Sequence, residues 1–200
     1  MGENHLIVVV HKFSNGTYLE CQDMFRDNGI FRDVYITKTT DNSIYDFRAV
    51  TKYNGGTSYS LSVIPVLKIS DECEFGVNVI RKGELVASKS VNVSENNIDK
   101  IEFSDLKVEE WSAEIPNTYH LVITLSQGGN LIEVINRPIG FKHIKINGNV
   151  FTFNNKGIKL QGVNHHDTDA KTGYVMSVDD MERDVKIFKE YNCLLYTSPS

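Results

Sequence analysis

The 200-residue sequence lacks the features that mark membrane proteins and disulfide-stabilised secreted proteins. Its longest early apolar run, residues 6–10, is far shorter than the roughly 18 residues that a membrane-spanning helix needs. No basic segment precedes this run and no cleavage signal follows it, so we expect neither a signal peptide nor a membrane partner. The three cysteines, Cys21, Cys73 and Cys193, have unrelated spacings. They predict no disulfide framework and no cysteine-rich zinc site, and free thiols favour the cytoplasm.

Positive charge is also in short supply. The chain has 21 Lys and Arg against 26 Asp and Glu, which gives a formal net charge of −5, so we expect no nucleic-acid partner. Only 4 prolines and 14 glycines occur, and 40% of the residues are hydrophobic, which predicts one or two ordinary globular domains. The chain is also shorter than the roughly 250 residues of a complete (β/α)8 barrel.

The first two thirds of the chain has the alternating pattern of short β-strands. Turn signals separate these strands at residues 54–56, 82–83 and 128–129. Seven or so strands over about 100 residues is the size of an immunoglobulin-like sandwich. The predicted strands lie within residues 5–11, 34–37, 45–53, 59–70, 75–81, 84–93, 106–108, 119–126 and 130–136.

The pattern changes after Pro138. Residues 142–153 predict a hairpin, and its Asn147-Gly148 pair is able to adopt the positive φ angles of a type I′ turn. A further strand is predicted over residues 158–163. A second polar turn, residues 154–157, is predicted between the hairpin and this strand.

One helix is predicted, over residues 178–192, after a polar loop over residues 164–173. Ser177 is its expected N-cap, and acidic residues in the first turn suit the helix dipole. An apolar stripe recurs along the helix at i, i+4 and i+7: Met181, Val185 and Phe188. A mainly β chain that ends in strand, loop and helix indicates the start of an α/β domain.

Three places carry residue types that bind ligands. Residues 20–27 hold a cluster of three carboxylates and an arginine: Glu20, Asp23, Asp27 and Arg26. Such a cluster can bind sugar hydroxyls, although a solvated loop with an Arg–Asp pair is the simpler interpretation. The only tryptophan, Trp111, is either an aromatic platform for a sugar or a core or domain-junction residue, and we favour the second.

The third place is the run Asn164-His165-His166-Asp167, with Asp169 two residues on. These residue types supply metal ligands or a polar binding rim. Zinc is disfavoured because no third His or Cys has a suitable spacing. If the preceding strand opens a parallel barrel, this loop lies at the face where barrel active sites are built. Otherwise these are solvated loop residues.

Three blocks of sequence resemble family 2 β-galactosidases, in the order in which that family has them. Residues 18–34 resemble the end of the sugar-binding sandwich, residues 111–119 the late part of the immunoglobulin-like domain, and residues 139–167 the start of the catalytic barrel. The resemblance implies a mainly β fold, with the end of a jelly-roll sandwich, a complete immunoglobulin-like β-sandwich and the first β/α unit of a truncated (β/α)8 barrel. The implied domain limits are 1–38, 39–137 and 138–192.

The resemblance implies retaining hydrolysis of terminal β-D-galactosides such as lactose. It places both catalytic glutamates and the Mg²⁺ ligands beyond Asn192, so we expect the chain alone to be inactive. Asp23 matches an aspartate that contacts galactosyl hydroxyls and a Na⁺ ion. His166 matches a histidine that contacts substrate and stabilises the transition state, and Asn164 is its expected neighbour in substrate binding. A homo-oligomer is implied for the full-length enzyme.

The sequence also departs from the family pattern. His165 stands where arginine is common and Asp167 where glutamate is common, while Cys21 replaces a common acidic residue and Phe25 a common tryptophan. A β-glucuronidase or β-mannosidase of the same architecture is an alternative. A non-catalytic carbohydrate-binding β-sandwich protein is another, although the strand and helix at the end of the chain argue against it.

The last eight residues, 193–200, read Cys-Leu-Leu-Tyr-Thr-Ser-Pro-Ser, which is one reading frame of a transposon-end adapter used in shotgun sequencing libraries. We interpret them as foreign to the native chain. Sequencing the source DNA across this point is expected to show different codons after Asn192. The interpretation is wrong if the source genome carries these eight codons at this place.

Overall fold

The structure is a computed structural model that describes residues 5–19, 28–96 and 98–197. The chain forms two compact units. The larger unit consists of residues 37–158, and the smaller unit combines residues up to 36 with those from 159 onward. Within the described ranges, no helix has the length and apolar character needed to cross a membrane.

Seven antiparallel strands make the sandwich of the larger unit: β1 (Ser43–Gly55), β2 (Ser58–Lys68), β3 (Cys73–Arg81), β4 (Glu84–Val93), β5 (Ile101–Lys107), β6 (Tyr119–Gln127) and β7 (Asn130–Ile139). One sheet has the order β1-β2-β5 and the other the order β4-β3-β6-β7. Because β5 pairs with β2 and β6 pairs with β3, the chain crosses between the sheets, as in immunoglobulin domains. The predicted immunoglobulin-like sandwich is confirmed.

The sandwich core follows from the alternation of side chains along each strand. In β6, Leu121, Ile123 and Leu125 are fully buried, whereas the residues between them are only partly buried. Their cross-strand partners in β3 are equally buried: Val79, Val77 and Phe75. Burying a side chain of this size stabilises the fold by about 1.5–3 kcal/mol relative to leaving it exposed.

Phe141, just beyond β7, lies fully buried between two buried tyrosines. Its ring centroid is 5.6 Å from that of Tyr59 in one sheet and 5.1 Å from that of Tyr119 in the other, both in edge-to-face geometry. The Tyr59 hydroxyl donates a 2.7 Å hydrogen bond to Glu110 Oε1, and the Glu109 N–H donates to the Tyr119 hydroxyl at 2.9 Å. Burial and then the bond to Glu110 raise the pKa of Tyr59, so this hydroxyl stays a donor.

The tight turns show which sequence signals were accurate. Gly128 and Gly129, with φ of +56° and +80°, have the positive φ pair of a type I′ turn where a turn was predicted. The prediction for Asn147-Gly148 was wrong, because Asn147 pairs with Val150 and leaves Gly148 and Asn149 as the central residues. Of these two, only Gly148 has a positive φ, at +62°. The strand register therefore shifted the turn by one residue.

A small three-stranded sheet extends the larger unit. It contains β8 (Ile144–Asn147), β9 (Val150–Phe153) and β10 (Lys156–Gly157) in the order β10-β9-β8. Asn154 and Asn155, with φ of +48° and +63°, form the turn between β9 and β10. The hairpin predicted over residues 142–153 is thus present. It lies in the same compact unit as the sandwich, and the domain limits inferred from the sequence stay a prediction.

The smaller unit contains a β-α-β element, built from β11 (Gly162–Asn164), α1 (Val178–Glu190) and β12 (Leu195–Thr197). The two strands pair in parallel. Because β12 lies within residues 193–200, which we interpret as foreign, only β11 and α1 represent the expected first β/α unit of a barrel. A Cβ added to Gly162 would lie 2.8 Å from the Leu195 carbonyl oxygen, so this close strand approach requires glycine. A 3-10 turn, Asn15–Tyr18, is the one regular element that the structure describes before β1.

Helix α1 begins where the sequence predicts. The Ser177 hydroxyl accepts the Asp180 N–H at 3.2 Å, and the Asp180 carboxylate accepts the Ser177 N–H at 3.1 Å, which is a reciprocal capping box. The Ser177 hydroxyl also donates to Asp180 Oδ2 at 2.6 Å, and this bond, followed by the one from the Ser177 N–H, lowers the pKa of Asp180. The helix ends at Glu190, two residues before the predicted end.

Four strand predictions were wrong in whole or in part. Residues 5–11 and 34–37 are not strands, because they have no pairing partner in the described part of the chain. The strand predicted at 106–108 is the longer β5, and the one predicted at 158–163 shrinks to β11. In each case the apolar pattern was read correctly, but pairing with a second strand decides where a strand exists.

Replacing Phe141 tests the aromatic core. Phe141→Ala is expected to lower the free energy of unfolding by about 3–5 kcal/mol, because it removes a buried ring that contacts both sheets. Phe141→Leu, the matched control, is expected to cost under about 1.5 kcal/mol. Urea unfolding followed by the fluorescence of Trp111 measures both values. Equal losses in the two variants would contradict the view that Phe141 stabilises the fold by filling the space between the two sheets.

Candidate functional site

The candidate site is the polar loop that joins β11 to α1. It starts at the carboxyl end of a parallel strand, which is where active sites of α/β folds are built. Asn164 is the last residue of β11 and pairs with Thr197 in β12. Its side chain is exposed, whereas His165 and His166 are both partly buried. The loop therefore brings Asn164 and His166, two predicted site residues, to one strand end.

His165 faces the helix. Its Nε2 atom lies 3.3 Å from Asp167 Oδ1 and 4.0 Å from Asp184 Oδ2. Its ring packs edge-to-face on the Phe188 ring, with centroids 5.0 Å apart and an interplanar angle of 80°. His165 thus contacts the loop and the helix at the same time.

The far half of the loop is organised by Asp169. Its Oδ1 atom accepts the backbone N–H of Lys171 at 2.8 Å and that of Thr172 at 3.1 Å. A pair of backbone hydrogen bonds, 2.8 and 2.9 Å long, closes the turn between Asp169 and Gly173. The N–H bonds from Lys171 and Thr172 are the main reason that the pKa of Asp169 is lowered. Asp169, predicted as a possible ligand residue, is therefore a turn-forming residue.

The loop also borders the segment that follows the predicted acidic cluster. The Phe31 and Tyr174 rings pack with centroids 5.6 Å apart. An open depression of about 560 Å³ is lined by Asn28, Ile30 and Phe31 together with residues 169–175. Asp23, like the whole acidic cluster of residues 20–27, lies outside the described residues. Its sequence neighbours from residue 28 onward nevertheless lie beside the loop that contains His166.

The donor groups of the loop and its surroundings bear on whether a metal ion can bind there. Within the described residues, no group of three or more His, Cys, Asp or Glu side chains is arranged to hold a metal ion. Asp167 and Asp169, the loop carboxylates, instead bond to His165 and to backbone N–H groups. The predicted Na⁺ ligand, Asp23, lies outside the described ranges. The described residues by themselves therefore do not fit a Mg²⁺ or Na⁺ site.

Trp111 has a structural role, as favoured from the sequence. Its backbone N–H donates a 2.8 Å hydrogen bond to the Phe141 carbonyl, and its own backbone carbonyl accepts the Asn154 side-chain N–H at 3.0 Å. The Lys142 ammonium lies 5.1 Å from the centroid of the Trp111 ring. A Cβ added to Gly140 would lie 2.9 Å from the Cβ and Cγ atoms of Trp111. Trp111 therefore joins the sandwich to the small sheet of β8, β9 and β10.

Two residues near the loop were missed from the sequence. The sequence predicts Phe188 only as part of the apolar stripe of the helix and does not predict Asp184 as a site residue. They lie one turn apart on α1, so they share a face. The signal that was present in the sequence is this i, i+4 pair of a carboxylate and an aromatic ring, but only the packing of the loop shows what it contacts.

Comparison with known families agrees with this architecture. The description "Glycosyl hydrolases family 2, sugar binding domain" matches residues 1–40, and "Glycosyl hydrolases family 2, TIM barrel domain" matches residues 144–195. Between them, "Glycosyl hydrolases family 2" matches residues 30–142, more than half of the chain. The chain belongs to glycosyl hydrolases family 2. The family resemblance noted from the sequence is confirmed, and so is the predicted fold class.

Curated relatives of this family 2 chain are named β-galactosidases. The one from Staphylococcus xylosus is 35% identical over 192 residues, which is 96% of this chain and 18% of the relative. The one from Actinobacillus pleuropneumoniae is 32% identical over 191 residues, with the same coverage of both chains. The chain thus spans about 18% of the length of the curated relatives that it matches.

Solved structures share the fold of this family 2 chain. A β-glycosidase from Bacteroides vulgatus matches with a TM-score of 0.78 and 20% identity, over 86% of this chain and 23% of that one. A β-glucuronidase from Ruminococcus gnavus matches with a TM-score of 0.68 and 18% identity, over 79% and 26%. At these identities the structures support the fold and do not distinguish between substrates.

The turn at Asp169 leads to a prediction about pH. Because the folded pKa of Asp169 is lowered, its stabilisation of the turn is complete above the unfolded value of about 3.9 and is lost as the pH falls through the lower folded value. Proton NMR of the Lys171 and Thr172 amides between about pH 6 and pH 2 is expected to show one shared transition below 3.9. Asp169→Asn, which keeps an acceptor oxygen but does not titrate, is expected to abolish it. A midpoint above that value would contradict the proposed cause.

Proposed function

We propose that this chain is part of a retaining β-galactosidase that hydrolyses terminal, non-reducing β-D-galactosides such as lactose. The observation that carries the proposal is the identity of 35% and 32% to curated β-galactosidases across 96% of the chain. Membership of glycosyl hydrolases family 2 supports a carbohydrate substrate in general. The galactoside specificity is the finer part of the proposal, and it depends on those relatives alone.

The proposed reaction uses two carboxylates about 5–5.5 Å apart, one as the nucleophile and one as the acid and base. We place both in a part of the enzyme outside these 200 residues, because the matched relatives are several times longer than the chain. The chain contributes side chains that bind the sugar. By itself it is therefore expected to lack turnover.

His166 is the proposed catalytic residue within the chain. Its imidazole can accept a hydrogen bond from a sugar hydroxyl. That bond strengthens as positive charge develops on the sugar ring in the oxocarbenium-like transition state, because the hydroxyl becomes a better donor. Asn164, two residues earlier at the exposed end of β11, offers an amide that can bind another hydroxyl. Asp23 completes the proposed set, as the carboxylate that binds sugar hydroxyls and as a ligand for Na⁺.

The position of the loop supports this set of roles. Asn164 and His166 lie at the carboxyl end of a parallel strand that is followed by a helix. The segment that begins five residues after Asp23 lines a depression with the same loop. Asn28, Ile30 and Phe31 thus lie beside residues 169–175, which supports a site that draws on both segments. A Mg²⁺ site and a homo-oligomer stay proposals for the whole enzyme.

The alternatives have less support. The β-glucuronidase structures from Ruminococcus gnavus share the fold at 18% identity, which does not favour glucuronides over galactosides. A non-catalytic carbohydrate-binding sandwich has no use for strand β11 and the helix α1 that follows it, both of which lie before the residues that we interpret as foreign. The presence of that element favours a barrel enzyme.

The proposal is tested by completing the reading frame from the source DNA and assaying the encoded enzyme. It is expected to hydrolyse p-nitrophenyl β-D-galactoside faster than the glucuronide and the mannoside, and proton NMR is expected to show release of the β-anomer first. The 200-residue chain, assayed in parallel, is expected to show no hydrolysis. His166→Ala in the complete enzyme is expected to lower kcat/KM roughly 100-fold or more, the usual loss on removing a hydrogen bond that stabilises the transition state.

Two results would overturn the proposal. A complete enzyme that prefers a glucuronide would assign the chain to another activity of the family. Hydrolysis by the purified 200-residue chain would show that the catalytic groups lie within it. His120→Ala, which removes an exposed histidine bonded to Asn136 in the sandwich, is the control for non-specific effects of losing an imidazole.

A further inference from the structure

We propose that His165 is a positioning residue, which holds the start of the 165–173 loop against helix α1 and so fixes the backbone that carries His166. The inference rests on the proposed function only for what His166 does to a sugar. The structural claim concerns the contacts of His165 itself. They form a cluster of four side chains in the smaller unit, here named the His165 cluster: His165, Asp167, Asp184 and Phe188.

On the helix side of the His165 cluster, two residues of α1 contact the His165 ring. Asp184 and Phe188 are four residues apart on α1, so their side chains lie on the same face one above the other. The His165 ring meets the Phe188 ring edge-to-face with centroids 5.0 Å apart, a geometry that stabilises aromatic pairs. The same imidazole points Nε2 toward Asp184 Oδ2, 4.0 Å away.

The loop side of the His165 cluster brackets His166. Nε2 of His165 lies 3.3 Å from Oδ1 of Asp167, so the residues before and after His166 contact one another. The His166 carbonyl accepts the N–H of Thr168 at 2.8 Å, which limits the backbone on the far side. His166 is therefore held between two restrained neighbours.

Burial makes these contacts matter more than ordinary surface ion pairs. The side chain of His165 is 18% exposed and that of Asp184 is 23% exposed, whereas that of Asp167 is 57% exposed. A partly desolvated pair is screened less than one at the surface. Asp184 is also restrained from the other side, since Nε of Arg183 lies 3.7 Å from its Oδ1. The Asp184 contact is therefore less screened by solvent than the Asp167 contact, although it is the longer of the two.

An arginine at position 165 can make the same set of contacts by different means. Its planar guanidinium presents several N–H donors to two carboxylates at once and stacks on aromatic rings. Alanine at this position can make none of them. The comparison of His165→Arg with His165→Ala therefore separates loss of the contacts from mere replacement of the histidine.

The experiment uses the 200-residue chain labelled uniformly with ¹³C and ¹⁵N and needs no sugar. His165→Ala is expected to shift and broaden the His166 imidazole resonance and to raise amide hydrogen exchange at residues 166–168 roughly tenfold, the effect of losing one charge-assisted contact. Asp184→Asn is expected to produce a smaller change in the same signals. His165→Arg is expected to restore exchange at residues 166–168 to within roughly twofold of the parent value, because the loop is held again.

Glu182→Gln is the matched control. It removes one carboxylate from the same helix, but Glu182 pairs with Lys186 at 3.5 Å on an exposed face and does not contact the His165 cluster. It is expected to leave the His166 signals unchanged. Resonances of the sandwich, for example those of Leu121 and Ile123, report whether any variant disturbs the rest of the chain.

The inference is overturned if His165→Ala leaves the His166 resonance and the exchange at residues 166–168 unchanged. It is also overturned if Asp184→Asn and Glu182→Gln act alike, or if His165→Arg behaves like His165→Ala. Because these signals are measured without a ligand, a failure of the galactosidase assay leaves the result on His165 intact. A failure of the NMR test, in turn, leaves the proposed function intact.

Discussion

The larger unit depends on the packing of one ring between two sheets. Phe141 contacts Tyr59 in one sheet and Tyr119 in the other, and its carbonyl accepts the N–H of Trp111. The hydroxyls of both tyrosines are bonded to Glu109 or Glu110, so the two polar groups buried beside the ring are satisfied. The same residue therefore closes the sandwich and fixes the connection to the small sheet that follows.

The smaller unit is organised by polar contacts of its loop. Asp169 closes the far half of the loop through backbone N–H groups, and His165 holds the near half on the helix. Between these two points lies His166, the residue to which we assign a role in catalysis. A family 2 glycosidase needs such restraint, because a side chain that is free to move stabilises the transition state less than one held in place.

Parts of this architecture could be predicted from local sequence. The alternation in β3 and β6, the glycine pair at Gly128 and Gly129 and the Ser177 cap each depend on neighbours within a few residues, and each was found where expected. The turn at Asn147 was misplaced by one residue, because the register of β8 with β9 decides which residues are central. The blocks that resemble β-galactosidases indicated the family, although Asp23 lies outside the described residues.

The sequence by itself determined the helix with its cap and the alternating strands of the sandwich, since strand alternation, helix periodicity and capping are properties of consecutive residues. Only the tertiary structure decided which elements meet. The pairing of β2 with β5, and the contact of His165 with Asp184 and Phe188, join residues that are far apart along the chain. Such contacts depend on how whole elements pack to bury their apolar faces, and no local pattern specifies the partner.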